Sequence, residues 1–267
     1  MGDAVYLYCF ADARLLPPLE GIGIDGERPV FQFVYNEVAA VVSTVSAEEF
    51  SSPEAEAGLH DLAWIGPRAC LHQEVIARVM RGSPALPARF GTIFHSLRSL
   101  EDRIRTHYGA IVNFFDRMVG REEWGVKVMW DRLKTHEELF TAMLADNAQR
   151  LSSSPGTRYF QEQKIRDEVE KKLHRRLKET CDKVALGLEG IVSESYARKV
   201  LPGMATGDNG EMICNWAVLI AREDLPKLQE HISRGNESYA SLGLVFELTG
   251  PWPPYSFCPF LDAESSH

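Results

Sequence analysis

Hydrophobic and polar positions change period several times along the chain, and each change predicts an element. Val5-Tyr6-Leu7-Tyr8-Cys9-Phe10 is an unbroken β-prone run, the pattern of a strand covered on both faces. A Pro- and Gly-rich connection over residues 16–23 follows, and residues 30–35 and 38–45 read as a hairpin across Asn36-Glu37. Ser46-Ala47-Glu48-Glu49 is a capping-box pattern for a short helical turn. Ser52-Pro53-Glu54 is a second start signal, with Pro at the first helical position. The helix it opens is expected to break at Gly66-Pro67 and resume to Met80. Residues 84–90 predict an edge strand, because Pro87 cannot donate to a ladder. From Ser96, apolar residues at 97, 100, 104, 108, 111, 115 and 118 keep helical spacing until Gly120 closes the run.

Beyond Gly120 the pattern starts again, which places a domain boundary there. Trp124, Val126, Val128 and Trp130 alternate with other residues and predict a strand with one strongly apolar face. A helix over 134–148 ends at Ser152-Ser153-Ser154-Pro155-Gly156. Residues 157–199 read as one long polar helix with Ile165, Val169, Leu173, Leu177, Cys181, Val184, Leu188 and Ile191 on a single stripe, one half of a coiled-coil-like pairing. Such a helix would span ~65 Å, against a radius of gyration of ~18 Å for a compact chain of this length. It therefore projects or breaks, and Gly187 and Gly190 mark the expected break. A strand over 211–220, a helix over 224–233 and a strand over 241–249 complete the chain. The predicted architecture is α+β in two domains, 1–120 and 121–267, with a helical arm over about 134–199. Each domain is expected to hold a small antiparallel sheet with helices on one face.

Composition narrows the function. The chain has 267 residues, 45% of them hydrophobic, and a formal charge of −9. This is an ordinary globular mixture with enough length for a sizeable core. Net acidity argues against a nucleic-acid coat protein. No apolar run approaches the ~18 residues of a membrane span, and the first residues lack the basic and apolar regions of a signal peptide. Five cysteines, at 9, 70, 181, 214 and 258, form no CxxC pair. They predict a reduced, cytoplasmic protein with buried thiols. The charge is also unevenly spread: residues 1–120 carry −5 with no lysine, whereas residues 158–199 carry +3.

Candidate chemistry is sparse. Gly21-Ile22-Gly23-Ile24-Asp25-Gly26 is neither a dinucleotide fingerprint nor a P-loop, and a turn between strands explains it. No serine-nucleophile elbow or zinc-protease helix motif appears. Cys70 and His72, with His60 upstream, could suggest a Cys/His site, but residues two apart on a helix point in different directions. The basic run over 168–178 could meet phosphates. It lacks interleaved aromatics, and helical pairs such as Glu168–Lys172 and Glu179–Lys183 make it a solvated face. Arg68 and Arg89, each in apolar surroundings, are read as half-buried structural braces. Trp252, Pro253, Pro254, Tyr255 and Phe257 form a stiff aromatic-proline segment, the best candidate surface for a partner. No catalytic residue, metal site or cofactor site is assigned.

Several longer segments carry a family resemblance. Tyr6-Leu7-Tyr8-Cys9-Phe10, Leu16-Pro17-Pro18-Leu19-Glu20-Gly21-Ile22, Asp61-Leu62-Ala63-Trp64-Ile65-Gly66-Pro67-Arg68-Ala69 and Leu86-Pro87-Ala88-Arg89-Phe90-Gly91-Thr92-Ile93-Phe94 resemble the gas vesicle GvpL/GvpF family. Trp124-Gly125-Val126-Lys127-Val128, Asn215-Trp216-Ala217 and the ending Leu248-Thr249-Gly250-Pro251-Trp252-Pro253-Pro254-Tyr255-Ser256-Phe257 extend the match. The resemblance implies an accessory protein of gas vesicle assembly, not an enzyme, in the cytoplasm and at the vesicle. It implies a modified ferredoxin-like N-terminal domain and a C-terminal domain with long coiled-coil helices. It also implies the small hydrophobic shell protein GvpA as partner, with other accessory proteins, and neither nucleic acid nor membrane. The alternative from another class is a small-molecule-binding protein or enzyme using Arg68 and Arg89. A second rival is nucleic-acid association through the basic helix.

Overall fold

The computed structural model describes residues 2–51, 61–200 and 210–261. The helix start at Ser52-Pro53-Glu54 and His60 lie outside the described residues. The chain divides into two compact units, one formed by the described parts of Met1–Glu122 and Trp252–His267, the other by those of Glu123–Pro251. The expected division near Gly120 put residues 252–261 with the second half. They pack on the first unit instead, because Pro253, Pro254 and Phe257 are buried there.

The first unit is built on strand β1 (Asp3–Asp12), β2 (Val30–Tyr35), β3 (Val38–Ser46), the three-residue β4 (Ala85–Pro87) and β5 (Ile93–Phe94). The strand order is β2-β3-β1-β4, with β5 also pairing with β1, and every pair is antiparallel. The β2–β3 hairpin turns at Asn36, whose φ of 51° is one that Asn tolerates. A short helix α1 (Ala47–Ser51) follows β3. Helix α2 (Leu62–Met80) starts on the Asp61 carboxylate, which accepts from the Ala63 N–H, and runs through Pro67 without the expected interruption. Pro67 forfeits one hydrogen bond, but the buried stripe His72, Val75, Ile76 and Val79 lies beyond it and anchors the helix. Helix α3 (Leu97–Met118) opens with a reciprocal Ser96–Ser99 capping box and buries Leu100, Ile104, Ile111 and Phe115.

Helices cover this sheet on both faces, not one. Ala4, Tyr6 and Tyr8 of β1 share a core with Val75, Ile76 and Val79 of α2. The alternating Val5 and Leu7 point the other way and are also buried, on the face across which α3 packs against β1, β3 and β4. A two-sided burial of this kind explains why β1 and β3 read as nearly continuous apolar runs.

The second unit contains β6 (Arg121–Trp130), most of which falls within it, β7 (Glu194–Ala197), β8 (Glu211–Ala221) and β9 (Leu244–Trp252), in the order β7-β8-β6-β9. Helices α4 (Arg132–Asp146), α5 (Pro155–Glu189) and α6 (Leu225–Tyr239) accompany this sheet. Gly190 caps α5, while Gly187 is accommodated inside it. Residues 194–197, expected to be helical, form β7 because they pair antiparallel with β8. Ile165, Val169, Leu173, Leu177, Val184 and Leu188 of α5 enter one core with Val126, Val128 and Trp130 of β6 and Trp216, Val218 and Ile220 of β8. The stripe is thus a helix-on-sheet face as well as a helix-on-helix one, since Leu139, Phe140, Met143 and Leu144 of α4 pack on the same core. Where reduced thiols were expected throughout, a disulfide joins Cys181 of α5 to Cys214 of β8. Of the remaining cysteines, expected to be buried, Cys9 is buried, Cys70 is exposed and Cys258 lies between.

Candidate functional site

The densest polar chemistry of the first unit lies under α2. Period-two geometry aims Tyr6 and Tyr8 at the same face, where both are fully buried with ring centroids 5.0 Å apart. Each hydroxyl needs partners there. The Tyr8 hydroxyl accepts from the Ile24 N–H at 2.6 Å and lies 2.9 Å from the Ser43 hydroxyl. This contact explains part of the glycine-rich connection: a Cβ at Gly23 would sit 2.6 Å from the Ser43 side chain. The Tyr6 hydroxyl accepts from the Gly91 N–H at 3.1 Å and lies 2.9 Å from His72 Nδ1.

The histidine's protonation follows from its neighbours. Nε2 lies 3.3 Å from the Ala88 carbonyl, which can only accept, so Nε2 carries the proton. Nδ1 is then the acceptor for the Tyr6 O–H, and Nε2–H also faces the Tyr255 hydroxyl at 3.2 Å. Burial holds the imidazole neutral by lowering its pKa from 6.5 to about 4. The same burial pushes the Tyr6 phenol above its ordinary range and those of Tyr8 and Tyr255 up to about 12. These phenols stay protonated, and the network acts as a set of fixed hydrogen bonds. It organises structure and offers neither a general base nor a nucleophile at neutral pH.

The aromatic-proline segment divides in two. Pro253, Pro254 and Phe257 are buried, and Arg117 of α3 donates to the Phe257 carbonyl at 3.0 Å. Trp252 and Tyr255 remain 43% and 40% exposed, and Phe260, not singled out from the sequence, is 93% exposed. Arg68 stacks its guanidinium 4.3 Å from the Trp64 ring and donates to the Trp64 carbonyl at 3.2 Å. It braces its own helix through an aromatic face. Arg89 is exposed, contrary to its reading as half-buried; beyond Pro87 the chain leaves the sheet, and the Arg89 carbonyl accepts from Thr92. Cys70 and His72 do point apart, one exposed and one buried.

On α5 the basic run is solvent-facing. Glu170 gathers Arg132 at 2.8 Å and His174 at 3.6 Å, and Glu179 lies 3.9 Å from Arg175. Glu179 therefore pairs back toward Arg175, while Lys183, its expected partner, lies in a cleft beside His231 of α6. Among the described residues no group of three metal-ligating side chains converges, and no helix is long and apolar enough to cross a membrane.

Sequence reasoning did not single out His72 as a hub. A signal was present, because positions 72, 75, 76 and 79 share one helical stripe. Its partner Tyr255, 183 residues away, has no local signature.

These features define a mixed helix-and-sheet protein whose buried polar groups serve its architecture. Comparison with known proteins agrees and specifies the class. The family described as "Gas vesicle synthesis protein GvpL/GvpF" matches residues 4–259, and the chain belongs to that family of gas vesicle proteins, which is not known for enzymatic activity. The chain is 26% identical to gas vesicle protein L of Streptomyces sp. (strain CB03234), over 94% of this chain and 91% of that one. It is 29% identical to gas vesicle protein F of the same strain, over 94% and 98% respectively. The crystal structure of GvpF from Anabaena sp. PCC7120 has the same fold, with a TM-score of 0.72 at 17% identity and coverage of 97% and 99%.

Proposed function

We propose that this chain is a cytoplasmic accessory protein of gas vesicle assembly that binds the small hydrophobic shell protein GvpA non-covalently. Other accessory proteins are further partners in this reading, and the chain is retained at the vesicle as a minor component. A shell subunit must expose apolar surface in order to polymerise and is prone to premature aggregation. A helper needs an apolar contact on a rigid support. The observation that carries the reading is the exposed aromatic set Trp252, Tyr255 and Phe260, held on a segment whose Pro253, Pro254 and Phe257 are buried. The edge strand β2, with Val34 53% exposed, is a second contact surface of the same unit.

In this reading the two compact units are two domains. The first is a modified ferredoxin-like domain, supported by the order β2-β3-β1-β4 with the proline-rich connection in place of a helix between β1 and β2. The second carries α4 and α5 as a coiled-coil-like arm, supported by the ion pair of Arg132 with Glu170 and by Arg166 lying 4.1 Å from the Phe140 ring.

The test is co-purification of the tagged full chain with shell subunits, alongside a Trp252→Ala/Phe260→Ala double variant. Recovery by the wild type and loss by the variant are expected. Equal recovery would remove the contact from this segment, and no recovery by the wild type would remove the binding. Washed, intact vesicles that lack the chain would refute retention.

A further inference from the structure

A second candidate site lies in the other unit and is independent of the shell-binding reading. Between α5 and α6, over β9, the chain leaves a cavity of about 220 Å³. Lys183 reaches it from α5, and His231, Arg234 and Ser238 from α6. The α6 residues recur at helical spacing, so they stand on one face. Tyr239 and Phe246 supply aromatic walls. None of the lining residues is a carboxylate. Glu230 approaches Arg234 to 3.5 Å, but both side chains are about two-thirds exposed, so this pair neutralises little of the charge.

One helix-interior glycine shapes the cleft, at a position where alanine would favour the helix by about 1 kcal/mol. A Cβ at Gly187 would lie 2.4 Å from His231 Cε1, so only glycine lets the imidazole pack against α5. Burial and the positive charge of Arg234 lower the imidazole pKa. Burial disfavours charge of either sign, whereas the Arg234 charge is the part of this environment that favours an anion.

We propose that this cleft binds a small phosphate-bearing molecule. Lys183 and Arg234 donate to the phosphate, Ser238 adds a hydroxyl donor, and Tyr239 and Phe246 hold an apolar or aromatic body. Arg offers the planar fork suited to phosphate oxygens, and Lys acts as a point charge beside it.

The test is calorimetric titration of the full chain with phenyl phosphate, inorganic phosphate and phenol. Saturable binding of phenyl phosphate is expected, tighter than inorganic phosphate and absent for phenol. A Lys183→Gln/Arg234→Gln variant, altered at two exposed side chains, should keep its thermal melting and bind at least about tenfold more weakly. Ser238→Glu, which sets a like charge in the cleft, should abolish binding by a separate route. No saturable binding of phenyl phosphate up to about 10 mM, or undiminished binding by both variants, would overturn the site. Equal binding of phenol would make it an apolar cavity and overturn the phosphate assignment.

Discussion

Replacing His72 by Gln should flatten the pH dependence of the first unit's stability. The folded-state pKa is lowered to about 4, against 6.5 for the free side chain. Between these values the unfolded chain binds a proton that the folded chain refuses, so stability rises with pH. The contribution is fully present above 6.5 and is lost as pH falls toward 4. Linkage over that interval gives about 2 to 3 kcal/mol between pH 7.5 and 4.5. Carboxylates of the unfolded chain begin to protonate toward the bottom of this interval, whereas folded Asp12 is held below it by its hydrogen bonds to Arg14. The difference between wild type and variant cancels their effect. The readout is hydrogen exchange of the β1 amides, corrected for intrinsic rate, which reports the free energy of opening this strand. At pH 7.5 the variant should open more easily by about 1 to 3 kcal/mol, since the Tyr6 and Tyr255 hydroxyls lose their shared partner. At pH 4.5 the gap should close or reverse. Parallel pH profiles for the two proteins would refute the claim that His72 is held neutral by burial.

Other substitutions probe the remaining contacts. Phe257→Ala should destabilise the first unit by about 3 to 5 kcal/mol, because the side chain is 2% exposed. Tyr255→Phe should cost under about 1 kcal/mol, because His72 Nε2–H keeps the Ala88 carbonyl. Urea titrations at pH 7.5 measure both, and similar losses would contradict the division into buried anchor and exposed contact. Gly187→Ala should destabilise the second unit despite the better helix propensity of alanine, through its clash with His231. Combining it with His231→Ala should recover at least about 1 kcal/mol, and strict additivity of the two changes would refute the close approach.

Elements whose period is unambiguous were legible in the chain itself. Strand β1, the β2–β3 hairpin and α3 follow directly from β-prone runs, from Asn36 and from the Ser96 cap. Strand β7 was not legible: Glu194-Ser195-Tyr196-Ala197 has no apolar alternation, and only its register with β8 makes it a strand. The long apolar stripe of α5 shows that the helix is covered but not by what, because a sheet and a second helix accept the same spacing. Two-sided burial of the first sheet was encoded in β1, yet which helix covers which face is a property of the tertiary fold. The exposed Arg89 illustrates a similar limit. Apolar neighbours in sequence say little about a side chain once a proline has turned the chain out of its strand. In the candidate site, both tyrosines were visible as core, whereas the link from His72 to Tyr255 spans almost the whole chain.

The return of residues 252–261 to the first unit has a consequence for biogenesis. In chain terms the second unit is an insertion of about 130 residues between parts of the first, whose loop closure costs only slowly more as the insert lengthens. The ribosome therefore releases β1 through α3 long before the segment that completes their core. Until Phe257 docks, the first unit is unfinished however much of its sheet has already been made. The aromatic surface at Trp252, Tyr255 and Phe260 is set in place by that same docking of Phe257. Truncation by a few turns at the C-terminal side would weaken the unit built from the N-terminal side. Linear distance from the damage is thus a poor guide to which part of this protein fails first.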